Sequence, residues 1–184
     1  STGLGPLLGC AEAVRAAFAT ELKEHSWSGA LIKAAADWRR IGLGPASREQ
    51  ITLLSLAYKD DAWGTVDWDD AWKQATKFIN HTVPLLRQVE NDRWEVLDTI
   101  ADEANWTITS HTLASLKNIT LSGQQALRAA VTMLLRNDPS LPTNDMFKLA
   151  IEASPNNAIA FGAYALFLQN IRGDMDQAQD MYQR

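Results

Sequence analysis

The 184-residue sequence predicts an all-α chain of short helices joined by short loops. Apolar residues recur at three- and four-residue spacing along most of it, as they do on one face of a helix. No stretch combines sustained two-residue alternation with β-branched residues, so any sheet is expected to be very small. The longest apolar stretch, residues 158–168, has the length of a buried core helix. After the first three helices, those predicted are 68–80, 84–101, 110–117, 123–136, 143–153, 157–171 and 175–184.

Residues 1–45 are predicted to form an N-terminal helical hairpin. Each of its two helices carries an apolar stripe at helical spacing. A loop with Pro45 follows, and Ser47 is expected to cap the third helix, with Glu49 and Gln50 in its first turn. The stripes consist of Ala11, Val14, Ala17, Phe18 and Leu22 in the first helix, and of Leu31, Ala34, Ala35 and Trp38 in the second.

The composition argues against nucleic-acid binding and against a membrane span, and it favours one type of cellular compartment. A net charge of -5 is not that of a nucleic-acid binder. No window approaches eighteen uncharged apolar residues, so we expect no membrane span. Cys10 is the single cysteine, which favours a reducing compartment. We therefore expect an intracellular protein, cytoplasmic or organellar after removal of a targeting segment. Sequons at Asn80, Asn105 and Asn118 leave secretion as the alternative.

The sequence shows no catalytic motif. His25, His81 and His111 stand far apart and none belongs to a metal-spaced pair. Cys10 has no adjacent base, and neighbouring carboxylates splay apart on a helix. We therefore predict that the protein is not an enzyme.

From Thr143 to the end, small and large residues follow the pattern of a helical repeat. Phe147, Ala150 and Pro155 match the closing helix of one unit, and Gly173 and Asp174 match the turn inside the next. Ala160, Phe161, Tyr164, Ala165 and Leu168 match the first helix of that next unit, and Ala178 and Tyr182 match its second helix. In these residues the chain resembles a tetratricopeptide (TPR) array, and residues 122–139 resemble a preceding first helix.

This resemblance implies that residues 121–184 form TPR-like repeats, the last one incomplete, that contact another protein. Small residues let paired helices approach closely, and large ones fill the groove between neighbouring hairpins. Stacked repeats bury each other's apolar faces, so we expect either more chain or a partner to cover the helix at 175–184. The residues expected in the core or against a partner are Phe147, Phe161, Tyr164, Phe167, Met181 and Tyr182.

Residues 46–120 contain two acidic or polar segments, each between two predicted helices. The first, "YKDDAWGTVDWDDAW", has Gly64 where a calcium-binding loop turns and Val66 at its apolar position eight. The second, "ADEANWTITSHTL", fits the same frame with Ile108 at position eight. The region thus resembles a degenerate pair of EF-hands. The resemblance implies a two-residue ladder that joins Val66 to Ile108.

Few cation ligands remain in these segments. Lys59 occupies the first ligand position of the first loop, and Thr112 stands where the second loop needs a bidentate glutamate. The candidate metal ligands are Asp61, Asp67 and Asp70, and Ca²⁺ is the one cofactor that the sequence suggests.

These features predict a non-catalytic helical adaptor or structural subunit that mediates protein–protein interaction within a larger assembly. The first alternative is a calcium-responsive EF-hand module. The second is an enzyme whose site is assembled from several helices, for which a pocket with His81 or His111 beside two carboxylates would be the sign.

Overall fold

A computed structural model describes residues 5–23, 26–60, 63–79, 83–104, 107–136 and 141–183. Its contacts define two compact units: unit 1 is residues 1–40 and 44–119, and unit 2 is residues 41–43 and 120–184. The described part is mostly helical and includes two small antiparallel sheets. The prediction of an all-α chain is therefore right for most of the chain and is corrected by these sheets. The division into 1–45, 46–120 and 121–184 stays a prediction.

Unit 1 combines helices with two short β-hairpins. A 3₁₀ turn, Leu56–Tyr58, directly follows its third helix. The helices are α1 (Gly5–Lys23), α2 (Trp27–Arg40), α3 (Arg48–Ser55), α4 (Trp68–Ala75), α5 (Asp98–Glu103) and α6 (Ser110–Leu116), and the strands are β1 (Phe78–Ile79), β2 (Val83–Pro84), β3 (Leu86–Glu90) and β4 (Arg93–Val96).

Helix α2 forms the centre of unit 1. Helices α3, α4 and α5 and strand β4 all pack against it. Leu31 and Ile32 are fully buried although they lie on different sides of the helix, and Trp38 is buried as well. The buried alanines, Ala34 among them, let the neighbouring elements approach closely. The stripe predicted from the sequence is buried, and α2 is enclosed well beyond that stripe.

Ser47 caps α3, as the sequence predicts. Its Oγ accepts the Gln50 backbone N–H at 3.1 Å, and Gln50 Oε1 accepts the Ser47 backbone N–H at 3.0 Å. This reciprocal pair is a capping box, which satisfies two amides that the helix itself leaves unpaired.

The predicted helix at 84–101 is wrong over most of its length, because strands β3 and β4 form a hairpin there. Arg87 pairs with Glu95 across the strands, and their side chains form an ion pair at 2.6 Å. In a helix these two residues would be about 12 Å apart along the axis. Asp92 takes the left-handed conformation (φ 50°) that a tight turn requires and that aspartate tolerates. Cross-strand pairing therefore prevails over helical spacing here.

The helix predicted at 68–80 ends earlier, at Ala75. Strand β1 follows and pairs with β2 in an antiparallel ladder, Ile79 opposite Val83. The prediction is therefore correct for the first part of this segment and wrong for its end.

The described part of unit 2 contains four α-helices in two successive pairs. Helix α7 packs against α8, α9 packs against α10, and α8 also packs against α9. A π-helical turn, Leu168–Arg172, extends α9 and ends at Gly173, whose φ of 68° is left-handed. The helices are α7 (Gly123–Arg136), α8 (Thr143–Ala153), α9 (Ala158–Phe167) and α10 (Met175–Gln183), close to the predicted ranges. Among the helices that the structure describes, none is long and apolar enough to cross a membrane.

Candidate functional site

An aromatic cluster occupies the interior of unit 2. The ring centroid of Phe147 lies 5.5 Å from that of Tyr164 and 5.6 Å from that of Phe167. All three side chains are buried, as is Phe161. Tyr164 Oη donates a hydrogen bond to Asn144 Oδ1 at 2.9 Å, and burial raises the pKa of this tyrosine. Within unit 2, the contacts of Phe147 with Tyr164 and Phe167 pack α8 against α9.

The other two residues singled out in this region lie on α10. Tyr182 is 52% exposed and its hydroxyl donates to Gln169 Oε1 at 3.4 Å, so its expected burial is not found within the chain. Met181 is half-buried, and the buried residue of α10 is Ala178.

Helix α9 has an exposed face without a single polar side chain. Ile159, Gly162, Ala163 and Leu166 follow each other at i, i+3, i+4 and i+7, so they lie along one stripe. Ile159 is 74% exposed and Leu166 is 50% exposed. A Cβ on Gly162 would meet no atom within 4 Å. We call these four residues the open face of α9.

Apart from the exposed Ala158, the rest of α9 forms the buried side of the helix. The residues of that side pack inside unit 2, and the cap at Asn157 starts the helix by accepting the backbone N–H groups of Ile159 and Ala160. None of the ten residues of α9 is charged, on the solvent side or on the buried side. The buried residues are Ala160, Phe161, Tyr164, Ala165 and Phe167.

A pocket of about 340 Å³ also lies in unit 2, near the C-terminal end of α9. Phe167 and Ile171 supply part of its apolar wall, and Arg172 and Asp145 supply charges of both signs. Its volume is at the lower end of the range of about 300–1,000 Å³ typical of ligand pockets. The pocket and the open face give unit 2 two apolar surfaces that meet solvent.

Neither Ile159 nor Leu166 was predicted as a site residue from the repeat pattern, which selects the buried side. A signal for them was present. An amphipathic surface helix alternates apolar and polar faces, whereas a helix that is apolar all round is normally buried on all sides. The uncharged run 158–167 therefore indicates a helix with an additional covered face.

The two segments whose sequences resemble EF-hand loops each lie between two helices, the first between α3 and α4 and the second between α5 and α6. Asp67 caps α4, since its Oδ1 accepts the backbone N–H groups of Asp69 and Asp70, each at 3.1 Å. Asp70 is exposed in the first turn of that helix. Asp61 lies outside the described residues, so the three-carboxylate metal site stays a prediction.

The implied ladder between these segments is not formed. Val66 and Ile108 are both described, and neither takes part in a β-bridge. The bridges in the part of the chain that the structure describes lie within the two hairpins, apart from one between Ala46 and Trp94. The prediction that Val66 pairs with Ile108 is therefore wrong.

A buried carboxylate in unit 1 is bound by an arginine and a tyrosine. Asp37 is 1% exposed, and its Oδ1 accepts from Arg40 at 2.7 Å while its Oδ2 accepts from the Tyr58 hydroxyl. Thr112, on α6, is buried and hydrogen-bonds to Tyr58. Burial raises the pKa of Tyr58, and the negative charge of Asp37 raises it further. This network joins α2, the turn after α3, and α6.

One of the three histidines lies in the described part of the chain. His111 is exposed on α6, and His25 and His81 lie outside the described residues. Among the residues with a described position, no three of His, Cys, Asp and Glu are grouped so that they could hold one metal ion.

Comparison with known proteins finds no family model that matches the chain. No curated protein and no solved structure matches it either. The physical features of the two units therefore carry the functional interpretation.

Proposed function

We propose that the protein is a non-catalytic helical adaptor or structural subunit that binds a segment of a partner protein on the open face of α9. The single observation that carries this proposal is the exposure of Ile159 and Leu166 on a helix without charged residues. Removing apolar surface from water stabilises a complex by roughly 25 cal/mol per Å². Two large exposed aliphatic side chains on one stripe thus favour association.

The shape of this face favours an apolar side chain or a helix as the contacting group. Gly162 and Ala163 have almost no side chain, so they leave a shallow depression on the helix surface between Ile159 and Leu166. Small residues at such positions let another backbone or a large side chain approach closely. We therefore expect the partner to place one large apolar residue over Gly162.

Unit 2 is internally braced for this role. The aromatic cluster of Phe147, Tyr164 and Phe167 packs α8 against α9 from the buried side. A face carried on a packed helix keeps its shape when it binds, which lowers the entropic cost of association.

A selection from a random peptide library on the full chain tests the proposal and requires no candidate partner. We expect enriched peptides to carry large apolar residues and to lose affinity by about tenfold or more, or about 1.4 kcal/mol, when Leu166→Glu is introduced. Gln177→Glu on α10 makes the same addition of a carboxylate at another exposed position and is the matched control. Peptides that bind both variants equally would contradict the proposal.

A further inference from the structure

A second concave surface, in unit 1, carries acidic and aromatic side chains together. It is a cleft of about 510 Å³ that is lined by residues of α1, α2 and α4 and of the loop before α4. Among the described residues that line it, the charged ones are Glu21, Asp67 and Asp70, which are all acidic. Two indoles, those of Trp27 and Trp63, also line it.

The indoles are held in place by their mutual packing. The ring centroid of Trp27 lies 5.1 Å from that of Trp63 and 5.2 Å from that of Trp68, and the interplanar angles are 72° and 65°. Such edge-to-face contacts fix the orientation of the rings. All three side chains are half-buried, so each keeps some accessible surface. Indole faces attract cations through the negative charge of their π-systems.

Two of the carboxylates are also fixed. Glu21 Oε2 accepts a hydrogen bond from Ser28 Oγ at 2.6 Å, and Ser28 is buried. Asp67 is held by its capping bonds to the backbone at the start of α4. An ionised carboxylate offers about four acceptor sites, so these bonds leave capacity for a ligand.

The lining selects one class of ligand. An anion would be repelled by three carboxylates, since no lysine or arginine is among the described residues that line the cleft. A bare calcium ion needs six to eight oxygen ligands, and the described acidic residues do not gather around a metal-sized space. A neutral apolar ligand would desolvate the carboxylates without replacing their hydrogen bonds. A cation with an apolar shell satisfies the carboxylates and the indoles at once.

We infer that this cleft binds an alkylammonium group, such as that of a lysine side chain or of a free quaternary amine. The carboxylates of Glu21, Asp67 and Asp70 attract the positive charge, and the methylene or methyl groups contact the rings of Trp27 and Trp63. This site is in unit 1 and does not depend on the function proposed for unit 2.

The experiment is a titration of the full chain, labelled with ¹⁵N in its tryptophan indoles, at constant ionic strength. The probes are choline, N-acetyl-lysine methylamide, and 3,3-dimethylbutanol, which is the neutral carbon isostere of choline. We expect saturable shifts of the Trp27 and Trp63 indole N–H signals with at least one of the two cations and none with the isostere. Binding of choline alone identifies a free amine as the source, and binding of the lysine derivative identifies a peptide side chain.

Paired variants separate the cleft from general surface charge. Asp70→Asn removes a charge from the cleft and should weaken cation binding by about threefold, the effect of an exposed charge pair. Asp69→Asn removes the same charge one residue away, outside the cleft lining, and should leave affinity unchanged. The inference is overturned if the isostere shifts the same signals, if neither cation gives saturable shifts, or if the two variants weaken binding equally.

Discussion

Gly123 of α7 lies so close to Ser154, just after α8, that a Cβ on the glycine would be 2.1 Å from Ser154 Oγ. It would also be 3.2 Å from the backbone oxygen of Ala150. The Ser154 hydroxyl can rotate away, but the Ser154 Cβ, 2.8 Å from the added Cβ, and the Ala150 carbonyl cannot. Glycine at position 123 is therefore the residue that lets α7 and α8 approach closely.

Gly123→Ala should destabilise unit 2 by about 1–3 kcal/mol, because an added methyl forces these helices apart. The control is Gly162→Ala, where the methyl enters open space and alanine's helix propensity should stabilise by about 0.5–1 kcal/mol. Thermal denaturation, with hydrogen exchange at the amides of α7 and α8, measures both. Equal effects of the two variants would contradict the close packing.

Tyr58 gives unit 1 a pH dependence in alkaline solution. Its pKa is raised by burial and by Asp37, so the folded chain keeps the phenol proton at a pH at which the unfolded chain releases it, above about 10. The unfolded state then binds fewer protons, and stability falls as pH rises. Stability contributed by the neutral phenol is thus fully present below about pH 10 and is lost above it.

Tyr58→Phe should lower stability at neutral pH, because Asp37 loses a donor, and should flatten the decline above about pH 10. Tyr182→Phe removes the same hydroxyl from an exposed tyrosine on α10 and is the matched control. Melting temperatures between pH 8 and 11 provide the measurement. A Tyr58→Phe slope as steep as that of the wild type would show that Tyr58 does not cause the decline.

Glu95 links the β3–β4 hairpin to α2. Its side chain is 13% exposed and contacts Arg87 at 2.6 Å and Arg39 at 3.1 Å. Glu95→Gln should cost about 1–3 kcal/mol, because the negative charge is removed and the amide NH2 cannot accept a hydrogen bond from one of the two arginines. Asp98 pairs with the same Arg39 but is 69% exposed, so Asp98→Asn should cost less than about 1 kcal/mol. Urea denaturation that ranks the two variants in the opposite order would disprove this role of burial.

The helices of unit 2 could be predicted from the sequence because their signals are local. Residues 123–136 and 143–153 are helical as predicted, and each boundary follows from apolar spacing within one segment. The Ser47 cap is equally local, since its partner Gln50 is three residues away. Predictions that depend on a few adjacent residues were therefore the accurate ones.

The β3–β4 hairpin could not be predicted in the same way. The ion pair between Arg87 and Glu95 can form only after the chain has turned at Asp92. The spacing of apolar residues along the sequence does not show this cross-strand pairing. The cleft in unit 1 could not be predicted from local spacing either, because Glu21 and Asp70 belong to helices that are far apart in the sequence. The exposure of Ile159 also depends on what packs against α9 and what does not.

A photo-crosslinker at position 166 tests most directly whether a partner protein binds the open face of α9. The side chain of Leu166 is replaced by a photoreactive phenylalanine analogue in the full chain, in the cells that produce the protein. The same analogue at Glu152, an exposed position on α8, is the control. We predict one dominant protein adduct from position 166, absent from position 152 and lost when Ile159→Glu is added. No adduct at position 166, or the same products from both positions, would contradict the claim that this face binds a partner.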